Sequence, residues 1–132
     1  MKALVLDAWP LLAFYLEEPK AQSIERILID SQHNGTELLI SVVNTGEIWY
    51  AVCRAHGSHE ADRIIHTIQE LNIAIKPVDW NLTRMAAAFK ASGGLSYADC
   101  FAAALARREQ AALVTGDPEF RRLEGEIEIN WI

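Results

Sequence analysis

The sequence predicts an α/β protein: a three-layer α/β/α sandwich around a mainly parallel central sheet. Two observations predict it. Short apolar runs without helical period, at residues 2–6, 38–40, 73–75 and 111–115, read as buried strands. One or two helical patterns separate each run from the next, an order that implies parallel strands joined by right-handed crossovers. With 132 residues, 51% of them hydrophobic, the chain is expected to form a single domain, residues 1–132, around one core.

Each element has a local reason. The run Lys2-Ala3-Leu4-Val5-Leu6 is the first strand, and the pattern from Trp9 to Leu16 is a helix. Asp7 is placed to cap that helix, Pro10 is tolerated in its first turn, and Pro19 breaks it. A second helix runs from Ala21 to Gln32, with Ile24, Ile27 and Leu28 on one face, and Asn34-Gly35 is a turn. The strand Leu38-Leu39-Ile40 leads into a helix from Ser41 to Ala55, which Gly57 stops. Ser58 is expected to cap the next helix, whose apolar stripe is Ile64, Ile65, Ile68 and Leu71. After the strand Ile73-Ala74-Ile75, Asp79 caps a helix reaching Ala91, and Gly93-Gly94 ends it. Ser96 opens an Ala-rich helix to Glu109, residues 111–115 form the fourth strand, and Asp117-Pro118 starts a short helix through Leu123. The alternation Glu126-Ile127-Glu128-Ile129-Asn130-Trp131 predicts a final, half-exposed edge strand.

Composition narrows the function classes. The formal net charge of −6 argues against passive nucleic-acid binding through a basic surface, although it leaves room for a nuclease whose acids hold cations. No apolar stretch reaches the roughly 18 residues of a membrane helix. Asp7 and Pro10 interrupt any leader-like N-terminal run, so a cytoplasmic protein with no membrane partner is expected. The two cysteines, Cys53 and Cys100, lie in helical patterns without CxxC spacing and read as reduced core thiols. His56 and His59 have a spacing open to zinc, but at a helix break and outside any HExxH pattern, and read as surface residues.

Four acids stand out by position. Asp7 ends the first strand and Asp117 follows the fourth. Asp99 lies in the first turn after Ser96, and Glu47 lies within two turns of Ser41 in an otherwise apolar helix. In an open parallel sheet, ligands bind beyond the carboxyl ends of the strands, and the helices leaving that edge point their first turns at the same crevice. Each acid also has an ordinary explanation. Asp7 and Asp117 suit helix starts, Ser96-Tyr97-Ala98-Asp99 suits a capping box, and Glu47 suits a solvated face. Four carboxylates from four segments form a more specific pattern, because gathered carboxylates repel unless they hold a cation.

These segments resemble a known family. Leu4-Val5-Leu6-Asp7-Ala8-Trp9-Pro10-Leu11-Leu12-Ala13 is similar to the opening of PIN domains. Ser41-Val42-Val43-Asn44-Thr45-Gly46-Glu47 resembles their second acidic motif and Leu95-Ser96-Tyr97-Ala98-Asp99-Cys100 the third. Leu113-Val114-Thr115-Gly116-Asp117-Pro118-Glu119-Phe120 resembles the last. The resemblance spans the chain in the family's order, and the small form is similar to VapC-type toxins of toxin–antitoxin pairs. Many such toxins carry a small hydroxyl residue where this chain has Trp9, which puts a hydroxyl contact there in doubt.

The resemblance implies an endoribonuclease dependent on Mg²⁺ or Mn²⁺, with hard carboxylate oxygens as ligands. Asp7 and Asp99 are then expected to bind metal directly, and Glu47 and Asp117 to bind a second ion or act through water. Thr115 and Ser96 are candidates to orient a carboxylate or water, and Asn44 to contact substrate. Arg121 and Arg122 are the basic residues nearest the acids in sequence, followed by Lys90 and Arg54, while Trp9 and Trp49 are placed to stack on a base. An RNA substrate, a cognate antitoxin whose tail covers the crevice, and a homodimer complete what the resemblance implies. Two rivals stand beside it. One is a catalytically silent PIN-like binding module. The other is a different α/β phosphoryl-transfer protein, suggested by Lys76-Pro77 but opposed by the lone Asp7 and by Trp9 where a phosphatase needs a second Asp.

Overall fold

The computed structural model describes residues 2–132. Five strands form one sheet: β1 (Ala3–Leu6), β2 (Glu37–Ser41), β3 (Ile73–Lys76), β4 (Ala112–Thr115) and β5 (Ile129–Trp131). Their order is β3-β2-β1-β4-β5, and every neighbouring pair is parallel. Six α-helices connect them: α1 (Ala8–Tyr15), α2 (Ala21–Asn34), α3 (Val42–His56), α4 (Ser58–Glu70), α5 (Trp80–Ala91) and α6 (Tyr97–Arg108). A 3₁₀ helix over Pro118–Leu123 follows β4. The expected layered architecture is what the chain adopts. Among the described residues, no helix is long and apolar enough to cross a membrane.

Alternation along the strands builds the two interior layers. Val5, Leu39 and Leu113 face α5, α6 and the 3₁₀ helix, where they meet Leu82, Phe89, Phe101, Phe120 and Leu123. Leu6, Leu38, Ile40 and Val114 face the other way, toward Leu11 of α1, Ile48 and Val52 of α3, and Ile64 and Ile68 of α4. The run Cys100–Ala106 of α6 is buried throughout, because its alanines let that helix lie close to the sheet and to α5 at once.

The strand order places the site. The chain winds outward from β1 through β2 to β3, then crosses back to add β4 on the other side of β1. The connections therefore diverge between β1 and β4, which puts the switch point of the sheet at their carboxyl edge, where ligands bind in parallel sheets. Asp7 leaves β1 and Asp117 leaves β4 on the two sides of that point.

Two local expectations need correction. Ser58 does not cap α4: it is the first helical residue, Gly57 holds the cap position at φ 91°, and no side chain supplies a cap bond. That left-handed region favours glycine, which allows one residue both to end α3 and to start α4. The last strand is also shorter than Glu126–Trp131, because the N–H groups of Glu126 and Ile127 turn back to the Leu123 carbonyl at 2.9 and 3.0 Å. Pairing with β4 begins only when Leu113 N–H reaches the Glu128 carbonyl, 2.9 Å away.

Phe120 is wholly buried and anchors the 3₁₀ helix that follows Asp117. Phe120→Ala should cost about 3–5 kcal/mol in a urea titration, the range for truncating a buried phenyl ring.

Candidate metal centre

Four segments at this edge present an acid, and two of the acids, Asp7 and Asp117, cap the backbone that follows them. Asp7 caps α1: its Oδ1 accepts the Ala8 N–H at 2.8 Å. Its other oxygen, Oδ2, accepts from the Thr115 hydroxyl at 3.1 Å. The same Thr115 oxygen accepts the Asp117 N–H, also at 3.1 Å. Thr115 therefore ties the end of β1 to the segment leaving β4. Asp117 turns its own Oδ1 back to the Glu119 N–H, 2.9 Å away, and Pro118 opens the 3₁₀ helix with no N–H to satisfy.

On the neighbouring elements, Ser96 caps α6 by accepting the Asp99 N–H at 3.2 Å. Ser41 caps α3 by accepting the Asn44 N–H at 3.0 Å. Glu47, half-buried one turn later, accepts from Asn44 Nδ2 at 2.9 Å. Carboxylate oxygens of Asp99, Asp117 and Glu119 lie within 4.8 Å of one another, the one such acidic group among the described residues.

The four acids expected from the sequence thus surround one crevice, and Glu119 joins them. No role was assigned to Glu119 from the sequence. Its signal was the tight start Asp117-Pro118-Glu119, in which the Asp side chain bends the chain so that the next acid faces back toward α6. Asn44 has a different position from the one expected. It is wholly buried, so its amide has no open face toward a substrate.

The electrostatics of these acids are strained. Burial first, then the Asp99 charge and to a smaller degree Glu47, push the Asp7 carboxyl up to about 7, with the bonds from Ala8 and Thr115 offsetting only part of the rise. Burial likewise raises Asp99 to about 6, against the opposing help of Ser96, while Asp117, Glu47 and Glu119 add repulsion. Glu47 is raised by burial, with the Asn44 bond working the other way. No Lys or Arg forms an ion pair with any of these five acids among the described residues. Oxygen donors drawn together with no protein cation fit a hard divalent ion such as Mg²⁺ or Mn²⁺.

The walls of the crevice are also defined. The Trp9 ring lies on Gly116, where an added Cβ would come within 2.7 Å of Trp9 Cζ3. Trp49 instead donates to Asp62 at 2.9 Å and joins α3 to α4. Arg122 donates to the Gly93 carbonyl at 3.3 Å, and its guanidinium occupies the space that a side chain at position 94 would need. The Arg121 guanidinium sits 6.0 Å over the Trp131 ring. Both arginines are exposed on the 3₁₀ helix that carries Glu119. Lys90 is bonded to the Leu95 carbonyl at 2.8 Å, and Arg54 lies over Tyr50. A cleft of about 750 Å³ opens at the opposite, amino-terminal edge of the sheet, lined by Lys2, Glu37, Glu109 and Glu128, and none of the five acids lines it.

An open parallel sheet with carboxylates gathered at its switch point defines an acidic-centre α/β protein. Residues 4–126 match the PIN domain model, and the chain belongs to that family. No curated protein matches it in sequence. Solved structures share its fold. The Rickettsia felis VapBC2 complex with a promoter DNA fragment aligns with a TM-score of 0.78 at 19% identity, covering 98% of this chain and 99% of that one. The DNA-bound VapBC of Salmonella typhimurium gives 0.75 at 16% identity, covering 98% of each chain. Mycobacterium tuberculosis VapC20, a toxin that cleaves the sarcin–ricin loop, gives 0.72 at 14% identity, covering 98% of this chain and 99% of that one.

The raised carboxyls set the sign of a pH effect. Between the ordinary Asp value of 3.8 and about 7, the folded state holds a proton on Asp7 that the unfolded chain has released. This contribution is complete at low pH and is lost as pH rises through 7. Metal-free protein should therefore melt higher near pH 5.5 than near pH 8. Asp7→Asn should flatten that profile and stabilise the metal-free fold at pH 8 by about 1–3 kcal/mol in urea. A profile unchanged by the substitution would place the titration elsewhere. Gly116→Ala should destabilise by about 1–3 kcal/mol through overpacking against Trp9, read by the same titration and by a change in tryptophan fluorescence.

Proposed function

We propose that this chain is a metal-dependent endoribonuclease, the toxin of a toxin–antitoxin pair. One observation carries the reading: carboxylates from four separate segments converge, with no protein cation, at the switch point of a PIN fold. Asp7, Asp99 and Asp117 would hold Mg²⁺ or Mn²⁺, with Glu47 and Glu119 as further oxygen donors to the same ion, a second ion or its water. When bound, such an ion supplies an acidified water for attack on a phosphodiester and charge to offset the phosphate oxygens.

The protein's own residues set the conditions for that chemistry. The Thr115 hydroxyl donates to Asp7 Oδ2 and the Ala8 N–H to Oδ1, so the two bonds together fix the direction of the carboxylate. The depth of Asp7 makes its carboxylate poorly hydrated, so it gains more from a cation than an exposed acid would. Trp9 against Gly116 closes one wall beside Asp117. Arg121 and Arg122, beside the acids on the 3₁₀ helix, are the candidates to hold the RNA backbone. Arg122 already has one bond to the α5–α6 loop, which leaves other guanidinium N–H groups for phosphate.

The neighbours support a reading of the partners. VapBC complexes and a Klebsiella pneumoniae toxin–antitoxin complex share this fold, which supports an antitoxin as the natural inhibitor of this chain. A cytoplasmic homodimer is the assembly proposed for the free toxin.

The test is cleavage of a mixed cellular RNA pool by the purified chain. Mg²⁺ or Mn²⁺ should support cutting and EDTA should abolish it. Asp99→Asn should lower the rate at least about 100-fold. Glu119→Gln should lower it about 10-fold or more, as loss of a supporting oxygen does. Cation binding without cleavage, by protein shown to be folded and free of antitoxin, would move the chain to the class of PIN-like binding modules.

A further inference from the structure

Asn44 sits in the first turn of α3, three residues before Glu47, and is wholly buried. Its Nδ2 donates twice: to Glu47 Oε1 at 2.9 Å and to the Ala98 carbonyl at 3.1 Å. Ala98 immediately precedes Asp99 on α6. Asn44 Oδ1 accepts the Ser41 hydroxyl at 2.6 Å, and the Ser41 oxygen accepts the Asn44 N–H at 3.0 Å. The Thr45 hydroxyl donates to the Ser41 carbonyl at 2.9 Å and steadies the same turn. Among the described residues, no buried side-chain nitrogen or oxygen lacks a partner.

This pattern admits only a carboxamide of this length. The nitrogen end faces two acceptors and the oxygen end faces a hydroxyl donor, so the amide has one orientation. Asp would set an acceptor against a carboxylate and a carbonyl. Leu would leave the Ser41 hydroxyl and the Ala98 carbonyl without this partner. Gln would carry the amide one methylene too far.

We propose that Asn44 is a positioning residue: it pins the Glu47 carboxylate of α3 to the Ala98–Asp99 turn of α6, so that both acids are in place before a cation arrives. The inference rests on the metal-centre reading above. Without the bond, Glu47 would be free to rotate away from Asp99, whose charge repels it. The protein would then have to reassemble the pair for each cation bound.

The experiment is a double-mutant cycle on Mn²⁺ binding to the whole chain, followed by the paramagnetic signal of free Mn²⁺. Asn44→Ala and Asn44→Asp are each made alone and with Glu47→Gln. Circular dichroism and urea titration establish that each is folded. Asn44→Asp should weaken Mn²⁺ binding about tenfold or more, as loss of an orienting partner does. In the Glu47→Gln background, Asn44→Ala should add less than about a twofold loss. Ser41→Ala keeps the Asn44 amide but removes the bond that orients it, and should weaken binding severalfold if Asn44→Asp does not fold. Unchanged affinity in folded Asn44→Ala, or an equal loss in both backgrounds, would overturn the proposal and make Asn44 a helix-packing residue. Failure of the unsubstituted chain to bind Mn²⁺ would overturn the metal centre itself, a different result from binding that ignores Asn44.

Discussion

The Thr115 hydroxyl joins the two sides of the sheet's switch point, and the site depends on that junction. It donates to Asp7 at the end of β1 and accepts from the backbone of Asp117 after β4. β1 and β4 are adjacent and parallel, so their ends would stand together in any case. Adjacent ends alone would not keep two acids close, because carboxylates in a poorly hydrated crevice repel. A neutral hydroxyl that bonds both segments holds Asp7 and the Asp117 turn together without adding charge. Asn44 has the corresponding part on the other side, where a neutral amide joins Glu47 to the turn carrying Asp99.

The distribution of strain follows from this. The two apolar layers are packed with Leu, Ile, Val, Phe and Ala, and they support a carboxyl edge that is unfavourable by itself. Asp7 and Asp99 have raised pKa values mainly because they are buried and secondarily because they face other acids. An edge left in that state favours any partner that brings positive charge. Under the proposed metal-dependent reading, activity and stability would oppose each other at the same side chains, the usual relation at sites that need an unfavourable arrangement.

Much of the site was legible because strand ends and helix starts are local features. Asp7, Asp99 and Asp117 each sit at a recognisable boundary, Glu47 stands out as an acid early in an otherwise apolar helix, and the order of strands and helices placed all four on one edge. Three features arise only in the folded chain. Glu119, which has no role in the sequence pattern, is brought toward α6 by the Asp117 side chain, which bends the turn. Asn44 looked open to substrate, but the packing of α3 on α6 covers it. Trp49 donates its indole N–H to Asp62 of α4, a contact between α3 and α4 that no local pattern announces.

The sequence by itself determined the elements and their sequence order, because apolar period, glycine breaks and capping residues act over a few positions. It also determined that Asp7, Asp99 and Asp117 stand at element boundaries and that Glu47 interrupts an apolar helix. Only the tertiary structure decided which side chains meet: β4 pairing beside β1 brings Thr115 to Asp7 across a separation of 108 residues. The α3–α6 packing brings Asn44 to Ala98 across 54. Contacts of that range depend on how whole layers stack, and no local pattern in the chain encodes them.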